Sequence, residues 1–494
     1  MSLSNSRSAD STRAVRRVDV AVIGAGTAGL NARHAAEQAG KSTLLIDPGP
    51  YGTTCARVGC MPSKLLIAAA DAAHHVRAAS ALGVISGEVQ IDGRAVMSRV
   101  RSERDRFVGF VVEATEAHAA AGRLLQGRAR FTGANTLDVD GPTPCTIQFD
   151  AAVIATGSVP FVPPPFHDLG DAMVDSAGVF EWTDLPSSVL VVGAGVIGLE
   201  LGQSLARLGV AVTIVGVGGG LGGLQDAAVR AEAIRIFSET LNLHLDSPVT
   251  RAERLEGGRV RAWFTDRDGV AREETYDKLL ITAGRRPALY GLALGAAGVA
   301  LDARGVPEAL DPLTLQLGEA PIFMAGDVNN LHPILHEAAD DGRAAGLNAA
   351  HFPDVHVSPR RLPMGVVFTD PNLAFVGQRG AQIDPLTACT GEVNYGDQGR
   401  ARVMNVNKGL LRIHGDRRDG TLLGAEMVGP RMEHIAHLLA WAVQQRMTVE
   451  QALSMPFYHP VIEEGVRTAL KDLERRLRIA APVGQPCDCL TPGE

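Results

Sequence analysis

The stretch VDVAVIGAGTAGLNARHAAEQAG, residues 18–40, is the strongest indication of the fold of this chain. An apolar strand, 18–23, runs into Gly24, Gly26 and Gly29, and a helical pattern follows. In such a strand–turn–helix unit the first glycine makes a tight turn, the second lets a pyrophosphate approach the backbone, and the third packs helix against strand. Phosphates then bind the free N–H groups at the helix N-terminus. The stretch therefore predicts a dinucleotide site; the alternative is a glycine-rich structural turn.

Two further segments extend this site. The next strand, STLLID, ends at Asp47, eighteen positions after Gly29, where a carboxylate can hold a ribose hydroxyl. Farther along, the apolar run AAVIATGS brings Ala155, Thr156 and Gly157 to a strand end. We interpret this run as a strand that returns beside the nucleotide.

The same glycine spacing occurs again in VLVVGAGVIGLELGQSLARLG, at Gly193, Gly195 and Gly198. A second nucleotide-binding domain is the economical interpretation. Its next strand, AVTIV, ends at Gly216, so the expected carboxylate is missing. The following loop, GVGGGLGGLQD, carries no Arg or Lys. Because a 2′-phosphate needs a cation there, NADP is disfavoured and NAD is weakly favoured.

Residues 52–64, GTTCARVGCMPSK, hold two cysteines with four residues between them. An Ala-rich run follows Pro62, and Pro is well placed at a first helical position. Cys60 is therefore predicted at a helix N-terminus, where the helix dipole stabilises a thiolate. Four intervening residues allow Cys55 and Cys60 to come within disulfide reach. The alternatives are two ordinary buried thiols or half of a zinc site, which would need a second ligand pair.

Composition excludes several classes of protein. The 494 residues are 46% hydrophobic and 21% charged, which is an ordinary globular balance for several domains. The net charge of -8 argues against nucleic acid as a partner. Six cysteines in a chain of this length favour a reducing cytoplasm with one or two working thiol pairs. No run is long and apolar enough to predict a membrane span or a secretory signal, so we predict a cytoplasmic protein.

The last third contains two further candidate positions. Asp327 follows the apolar run in PIFMAGDVNN and is either a turn residue or a ligand of a cofactor hydroxyl. In PFYHPVIEEGVRTALKDLERRL, His459 precedes Pro460, which we predict to start a helix containing Glu464. A carboxylate can orient an imidazole as a base, but a cap or a surface histidine is an equally good interpretation.

The C-terminal residues, APVGQPCDCLTPGE, are polar and turn-rich, which predicts a flexible tail. The tail contains Cys487 and Cys489. These thiols can form a second dithiol or a soft-metal site, or can be incidental.

Two glycine fingerprints, a Cys-x4-Cys loop between them and a late His-Pro with a nearby Glu are together very specific. From about residue 18 to about 478 the chain resembles the FAD-dependent pyridine nucleotide–disulfide oxidoreductases, among which the dihydrolipoamide dehydrogenases are nearest in pattern. The resemblance implies an α/β fold with two Rossmann-like nucleotide-binding domains and a C-terminal α+β dimerisation domain. The implied domains are a disordered leader at 1–17, an FAD-binding part at 18–160, an NAD-binding domain at 161–287, a second FAD or central part at 288–352, a dimerisation domain at 353–478 and a flexible tail at 479–494.

The resemblance also implies a role for each matched position. Cys55 and Cys60 are the redox disulfide, Lys64 pairs with Glu200 near the flavin, and His459 with Glu464 is the acid–base pair. The cofactors are FAD and NAD, with no metal. The implied cofactor-binding positions are Gly24, Gly26, Gly29, Asp47, Thr54, Lys64, Ala155, Thr156, Gly157, Gly193, Gly195, Gly198, Gly284, Arg285, Gly326, Asp327 and His336.

The partners implied by the resemblance are a small dithiol or disulfide, or a lipoyl group, and a second copy of the chain. In the family the acid–base histidine reaches the active site of the other subunit, which implies a homodimer. The family also allows membership of a 2-oxoacid dehydrogenase complex. One departure is Thr53, which stands where the family loop has its second glycine.

Three alternatives follow from these observations. A related disulfide or metal-ion reductase can use Cys487 and Cys489 as an electron relay. A flavoprotein can keep the fold only to bind, although the intact cysteine and acid–base positions argue against that. A dedicated subunit of a 2-oxoacid dehydrogenase complex is the third.

Overall fold

A computed structural model describes residues 13–480 of the chain. The strands are β1 Ala14–Ile23, β2 Thr43–Asp47, β3 Leu124–Gln126, β4 Arg128–Gly133, β5 Thr136–Asp140, β6 Cys145–Ile154, β7 Ser158–Pro160, β8 Met173–Asp175, β9 Ser188–Val192, β10 Ala211–Val215, β11 Asn242–His244, β12 Val249–Arg254, β13 Val260–Thr265, β14 Ala271–Tyr276, β15 Lys278–Ile281, β16 Arg285–Pro287, β17 Ile322–Met324, β18 Met364–Val367, β19 Asn372–Gly377, β20 Ala388–Asn394, β21 Leu410–Asp416 and β22 Leu422–Gly429. The helices are α1 Thr27–Gln38, α2 Thr54–Val58, α3 Cys60–Ala78, α4 Gly93–Ala120, α5 Val196–Arg207, α6 Ala227–Phe237, α7 Leu335–His351, α8 Gly399–Val403, α9 Met432–Gln444, α10 Val449–Leu453 and α11 Glu464–Ala480.

The chain packs into two compact units. The first unit contains residues up to 57, 105–159 and 285–360, and the second contains 58–104, 160–284 and the residues from 361 onward. These units do not test the predicted domain boundaries, which stay a prediction. Within residues 13–480 no helix combines the length and the apolar content needed to cross a lipid bilayer.

The first unit is built on a mixed sheet in the order β3-β2-β1-β6-β5-β4, with β17 also paired to β6. Strands β3, β2, β1, β6 and β17 run parallel. Alternate residues of β1 enter two different cores: Val20 and Val22 pack on one face, and Ala21 and Ile23 on the other. A parallel strand covered on both faces is expected to read as a continuous apolar run, as the buried half of β1, residues 20–23, does.

The first strand is longer than predicted. It begins at Ala14, and Ala14 pairs with Cys145 of β6. The prediction of a disordered leader through residue 17 is therefore wrong for its last four residues. The exposed sequence AVRR shows no apolar alternation, and its hydrogen-bond partners come from β6, more than a hundred positions away.

Helices α1 and α7 lie in close contact on this sheet. A Cβ at Gly342 would lie 2.2 Å from the backbone oxygen of Ala28, and one at Gly346 would lie 2.2 Å from that of Ala32. Only glycine permits this approach. The contact holds α1, which follows the first glycine loop, against the helix that follows Asp327.

The second unit contains a parallel sheet in the order β11-β10-β9-β15-β8 and a small antiparallel sheet, β12-β13-β14. It also contains an antiparallel sheet in the order β18-β19-β22-β21-β20. Helices α9 and α11 cover this last sheet, and apolar residues such as Ile413, Met427, Leu439 and Leu470 form its core. The mixed α/β architecture with a C-terminal α+β part confirms the predicted fold class.

Candidate active site and cofactor-binding loops

The first glycine loop lies in the first unit, between β1 and α1. The Gly24 N–H donates to the carbonyl of Ile46 at 2.8 Å, and a Cβ at Gly29 would lie 1.8 Å from the Gly24 oxygen. Gly26 precedes α1 as its N-cap, and nothing lies within 4 Å of where its Cβ would be. The loop is thus closely packed at its first and third glycines and open at the second, where a diphosphate would approach the helix N-terminus.

Asp47 lies at the carboxyl end of β2 and contacts this loop directly. Its Oδ2 accepts the N–H of Ala25 at 2.8 Å, and its Oδ1 accepts the N–H of Gly49 at 2.7 Å. The carboxylate is therefore held beside the glycine loop, where ligands bind parallel α/β sheets. This is the position from which a carboxylate can accept a ribose hydroxyl.

The segment that follows β6 completes the same edge of the sheet. A Cβ at Gly24 would lie 2.3 Å from the oxygen of Ala155 and 3.2 Å from the Thr156 nitrogen. The Thr156 hydroxyl oxygen is buried and has no hydrogen-bond partner within the described residues. An orphaned buried hydroxyl is costly, so its position beside the glycine loop indicates a bound polar ligand. Gly157 follows with a left-handed φ of 71°.

Ser158 links two of the predicted cofactor positions. Its hydroxyl donates to Asp327 at 2.9 Å and accepts from Arg285 Nε at 2.7 Å, and Arg285 Nη2 donates to the Ser158 carbonyl at 2.6 Å. The structure thus brings Arg285 and Asp327 together through a serine that the sequence analysis missed. Ser158 directly follows Gly157, so its place near the site could have been inferred from the sequence, although its two distant partners could not.

A buried carboxylate also fixes the backbone around Gly326. Asp341 accepts the Gly326 N–H at 3.2 Å, Asn329 Nδ2 at 2.6 Å and Arg360 Nη2 at 2.7 Å. By contrast, the predicted His336 lies on α7 with its side chain 44% exposed, and its nearest charged group is Glu337 at 4.0 Å. The residues of the first unit therefore fit a flavin dinucleotide: an open glycine loop, a strand-end carboxylate and an orphaned threonine hydroxyl lie at one sheet edge.

The second glycine loop, in the second unit, repeats the first. The Gly193 N–H donates to the Val215 carbonyl at 2.8 Å, and a Cβ at Gly198 would lie 1.9 Å from the Gly193 oxygen. Gly195 is open, with nothing within 4 Å of its Cβ position. Thr282, which the sequence analysis missed, donates its hydroxyl to the Gly193 carbonyl at 2.9 Å. These residues fit a second dinucleotide.

Two positions flank that loop. Gly284 has a left-handed φ of 104° and open space around its Cβ position. A Cβ at Gly216 would lie 3.5 Å from the Ala194 Cβ and 3.0 Å from the Leu245 oxygen. The strand-end position at 216 therefore points at the glycine loop, as the motif requires, but has no carboxylate.

The cysteine segment is partly helical. Thr54 begins α2, which contains the partly buried Cys55, and the exposed Cys60 is the first residue of α3. Pro62 is therefore the third residue of α3 rather than the predicted first. It still lies in the first turn, where its missing N–H is not needed.

Thr53 occupies the left-handed region, with φ at 56°. A β-branched residue there costs about 1–2 kcal/mol relative to glycine. Its Oγ1 accepts the Ala56 N–H at 3.4 Å, a long contact that offsets little of this cost. The departure from the family loop at this position is thus accommodated with backbone strain.

Lys64 and Glu200 form an ion pair between α3 and α5. Lys64 Nζ lies 2.7 Å from Glu200 Oε2, and the Phe368 N–H donates to Glu200 Oε1 at 2.9 Å. The Glu200 side chain is only 5% exposed, whereas that of Lys64 is 34% exposed. Lys64 Nζ also lies 4.6 Å from the centroid of the Phe368 ring, within cation–π range.

His459 and Glu464 form the second predicted pair. His459 Nδ1 lies 2.9 Å from Glu464 Oε1, and the Val461 N–H donates to Glu464 Oε2 at 3.1 Å. Burial raises the pKa of the Glu464 carboxyl, but the hydrogen bonds from His459 and Val461 outweigh burial and hold this pKa below its ordinary value. The carboxylate is therefore a charged acceptor that orients the imidazole.

The loop before α11 differs from prediction in one respect. The helix begins at Glu464, not at Pro460. The Val461 carbonyl instead accepts Gln398 Nε2 at 2.8 Å, and the Val461 N–H is used by Glu464. Glu464 thus lies in the first helical turn, where the helix dipole favours a carboxylate. Gln398 is remote in sequence, so no local signal indicated it. Cys487 and Cys489 lie outside the described residues.

Comparison with known proteins agrees with this geometry. The model of the family described as "Pyridine nucleotide-disulphide oxidoreductase" matches residues 18–342, and the model of its dimerisation domain matches 364–470. A dihydrolipoyl dehydrogenase from Haloferax volcanii is 32% identical over 467 residues, 92% of this chain and 96% of that protein. One from Geobacillus stearothermophilus is 29% identical over 447 residues, 90% and 93% of the two chains.

Solved structures share the fold. LpdA from Mycobacterium tuberculosis is 26% identical, with a TM-score of 0.77 over 92% of this chain and 99% of that one. The HOCl-induced flavoprotein disulfide reductase RclA from Escherichia coli, solved as a Cu(II) complex, is 23% identical, with a TM-score of 0.76 over 94% and 100%. The predicted family and the predicted cofactors are confirmed. The chain belongs to the pyridine nucleotide–disulphide oxidoreductase family and is an NAD(H)-dependent disulfide oxidoreductase that uses FAD.

Proposed function

We propose that this chain is a dihydrolipoamide dehydrogenase, which oxidises the dithiol of a dihydrolipoyl group with NAD. The observation that carries the proposal is the 2.9 Å contact between His459 Nδ1 and Glu464, because oxidation of a neutral dithiol needs a base. The relatives named dihydrolipoyl dehydrogenase, at about 30% identity over nine-tenths of the chain, support the same substrate.

The histidine supplies the base. With its Nδ1–H donated to Glu464, His459 keeps Nε2 available to accept a proton from a substrate thiol. Its side chain is 81% exposed, so a substrate or a second subunit can reach it. The negative charge on Glu464 stabilises the imidazolium that forms.

The thiol chemistry then proceeds by exchange between Cys55 and Cys60 and the substrate. The substrate thiolate attacks the sulfur of Cys55, the Cys55–Cys60 disulfide bond breaks, and Cys60 leaves as a thiolate. The second substrate thiolate then attacks the substrate sulfur that is bonded to Cys55 in the mixed disulfide, which closes the lipoyl ring and releases the thiolate of Cys55. The substrate loses two electrons and two protons: the cysteine pair gains the two electrons, His459 Nε2 accepts one proton, and the other proton passes to solvent. When bound, FAD supplies the two-electron transfer between the reduced pair and NAD(H).

We assign the remaining predicted residues to the two dinucleotides. Lys64, which the family resemblance assigns to the cofactor, is held by the buried carboxylate of Glu200. FAD is held by Gly24, Gly26, Gly29, Asp47, Thr54, Ala155, Thr156, Gly157, Arg285, Gly326, Asp327 and His336. NAD is held by Gly193, Gly195, Gly198 and Gly284.

The protein acts as a homodimer in this proposal, with His459 completing the site of the partner subunit. The family's dimerisation domain, matched at 364–470, and the 80% exposure of the neighbouring Tyr458 support this assignment. Complementation tests it. An inactive Cys60→Ser subunit mixed with an inactive His459→Ala subunit should regain about a quarter of wild-type activity per subunit if sites are shared. A mixture that stays inactive would contradict the shared site.

Cytoplasmic location and docking to a 2-oxoacid dehydrogenase core stay predictions. Pull-down with an acyltransferase core tests the docking.

The central experiment uses the purified, FAD-loaded protein. We expect rapid lipoamide reduction with NADH, and much slower reduction of glutathione disulfide. Cys60→Ser should abolish lipoamide turnover while NADH-to-dye transfer remains. A variant that retains lipoamide turnover, or that loses both activities while holding FAD, would contradict the assigned roles.

The relay enzyme is the second candidate, favoured only by the tail cysteines in the sequence. Replacing both Cys487 and Cys489 by serine distinguishes it. A dihydrolipoamide dehydrogenase keeps its lipoamide activity in this variant, whereas an enzyme that depends on the tail loses turnover of its disulfide or metal-ion substrate.

A further inference from the structure

The second nucleotide-binding fold lacks a charged partner for the adenosine ribose at its usual position. Gly216 follows β10, and its Cβ position is bounded by the Leu245 oxygen at 3.0 Å. In a parallel sheet of this kind ligands bind at the carboxyl ends of the strands. A carboxylate from the neighbouring strand end can therefore reach the same region.

Asp246 lies at that neighbouring strand end. Strands β10 and β11 are parallel, with Val215 in register with His244, so Asp246 is two residues past the register partner of Val215. Backbone hydrogen bonds keep the two strand ends together beyond the sheet: the Gly216 N–H donates to the His244 carbonyl at 2.9 Å, and the Gly219 N–H donates to the Leu245 carbonyl at 3.0 Å.

The Asp246 side chain is directed to the loop that follows Gly216. Its Oδ1 accepts the Gly218 N–H at 2.9 Å, and the residue is exposed to solvent. Within residues 13–480 its Oδ2 has no hydrogen-bond partner. Oδ1 therefore fixes the side chain on the loop that follows Gly216, and Oδ2 can accept a hydrogen bond from a ligand.

We propose that Asp246 replaces the missing strand-end carboxylate: it accepts a hydroxyl of the adenosine ribose of NAD(H) and disfavours a 2′-phosphate. This inference rests on the proposed function only in that the second glycine loop holds NAD(H), and it is independent of the identity of the disulfide substrate. Gly216 and Asp246 then act together, because the absence of a side chain at 216 leaves room for the Asp246 carboxylate from the adjacent strand end.

One cation lies near enough to offer a competing arrangement. The Arg267 N–H donates to His244 Nδ1 at 3.1 Å, next to the end of β11, and the Arg267 side chain is 57% exposed. If this guanidinium bound a 2′-phosphate, the site would accept NADP. However, Arg267 Nε lies 3.9 Å from Asp268 Oδ2, and this carboxylate competes with a phosphate for the guanidinium.

The test measures binding of NAD⁺ and NADP⁺ to the FAD-loaded protein by calorimetry, so it needs no disulfide substrate. Asp246→Asn keeps an acceptor for the Gly218 N–H and removes the charge. Asp384→Asn is the matched control, because Asp384 is also an exposed loop carboxylate that accepts one backbone N–H, from Leu386 at 2.9 Å. Flavin absorbance and the unfolding temperature check that each variant is folded.

We expect the wild type to prefer NAD⁺ by at least roughly tenfold, and Asp246→Asn to lower that preference by about tenfold, as loss of a charged hydrogen bond and of phosphate repulsion would. The preference should also fall with added salt in the wild type and not in Asp246→Asn, because salt screens repulsion between exposed charges. Asp384→Asn should change neither quantity.

Three results would overturn the inference. An unchanged NAD⁺/NADP⁺ ratio in Asp246→Asn would mean that Asp246 only caps the loop. Wild-type preference for NADP⁺, lost in Arg267→Ala, would assign the site to the cation. Failure of the wild type to bind either nucleotide would instead refute the proposed function, and the inference with it.

Discussion

Removing the ammonium of Lys64 should destabilise the second unit strongly, because it strands a buried charge. Glu200 has two carboxylate oxygens, and each has one donor: Lys64 Nζ at 2.7 Å on Oε2 and the Phe368 N–H at 2.9 Å on Oε1. Lys64→Met keeps the length of the side chain and removes the donor. The Glu200 side chain, 5% exposed, is then left with a single hydrogen bond.

The magnitude follows from this exposure. Breaking a fully buried ion pair from one side costs about 3–5 kcal/mol. Since the Lys64 side chain is 34% exposed, water can enter from that side, and we expect a loss of about 2–3 kcal/mol. Glu200→Gln should cost only about 1 kcal/mol, because the ammonium that it leaves behind can be hydrated. The double variant should lose no more than about 1 kcal/mol relative to the wild type, which gives a coupling energy of about 2–4 kcal/mol.

The assay is denaturant unfolding of the FAD-loaded protein followed by tryptophan fluorescence. All three tryptophans, Trp182, Trp263 and Trp441, lie in the second unit, so the signal follows the unit that contains the pair. The exposed pair Lys408–Glu239 provides the control, and Lys408→Met should cost less than about 1 kcal/mol. Additive effects of the two single substitutions, or a Lys64→Met loss no larger than that of Lys408→Met, would show that Lys64 does not stabilise the buried Glu200 carboxylate.

Two further predictions follow from the acid–base pair and the second glycine loop. Because the pKa of Glu464 is held below its ordinary value, its contact with His459 contributes stability above the ordinary glutamate pKa, and this contribution disappears as the pH falls through the lowered pKa. Glu464→Gln should remove that acid-dependent loss of stability when unfolding is measured as a function of pH. The variant should also lower lipoamide turnover roughly 100-fold while NADH-to-dye transfer is unchanged. Equal effects on both activities would contradict the role of Glu464 in orienting His459. Gly198→Ala should destabilise the protein, because its Cβ would lie 1.9 Å from a backbone oxygen. Gly195→Ala should leave the free energy of unfolding unchanged and weaken NADH binding, because its Cβ position is open. Denaturant unfolding measures the first effect and calorimetry the second, and equal stability of both variants would count against the loop geometry.

Much of the candidate site was predictable because its signals are local. Gly24, Gly26 and Gly29 follow an apolar strand and precede a helix, so neighbouring residues alone determine the turn. The same holds for the second loop and for Asp47 at its strand end. Family resemblance supplied the pairing of Lys64 with Glu200, which are 136 positions apart, and the structure places them 2.7 Å from each other.

Other features were decided only by tertiary structure. The Ser158 hydroxyl joins Arg285 to Asp327, Gln398 holds the Val461 carbonyl, and β6 extends β1 to Ala14. In each case the partner group comes from a segment tens to hundreds of positions away, so no local propensity reports it.

The two glycine loops, the cysteine segment and the order of the nucleotide-binding domains could be predicted from the amino-acid sequence alone, because glycine conformation, strand hydrophobicity and motif spacing act over a few residues. Tertiary structure decided which side chain is available where a motif residue is missing. In the sequence, Gly216 indicated only that the strand-end carboxylate is missing. The pairing of β10 with β11 brings Asp246 to the loop beside Gly216. Strand pairing depends on backbone hydrogen bonds that any sequence can make, so the sequence could not reveal that substitution.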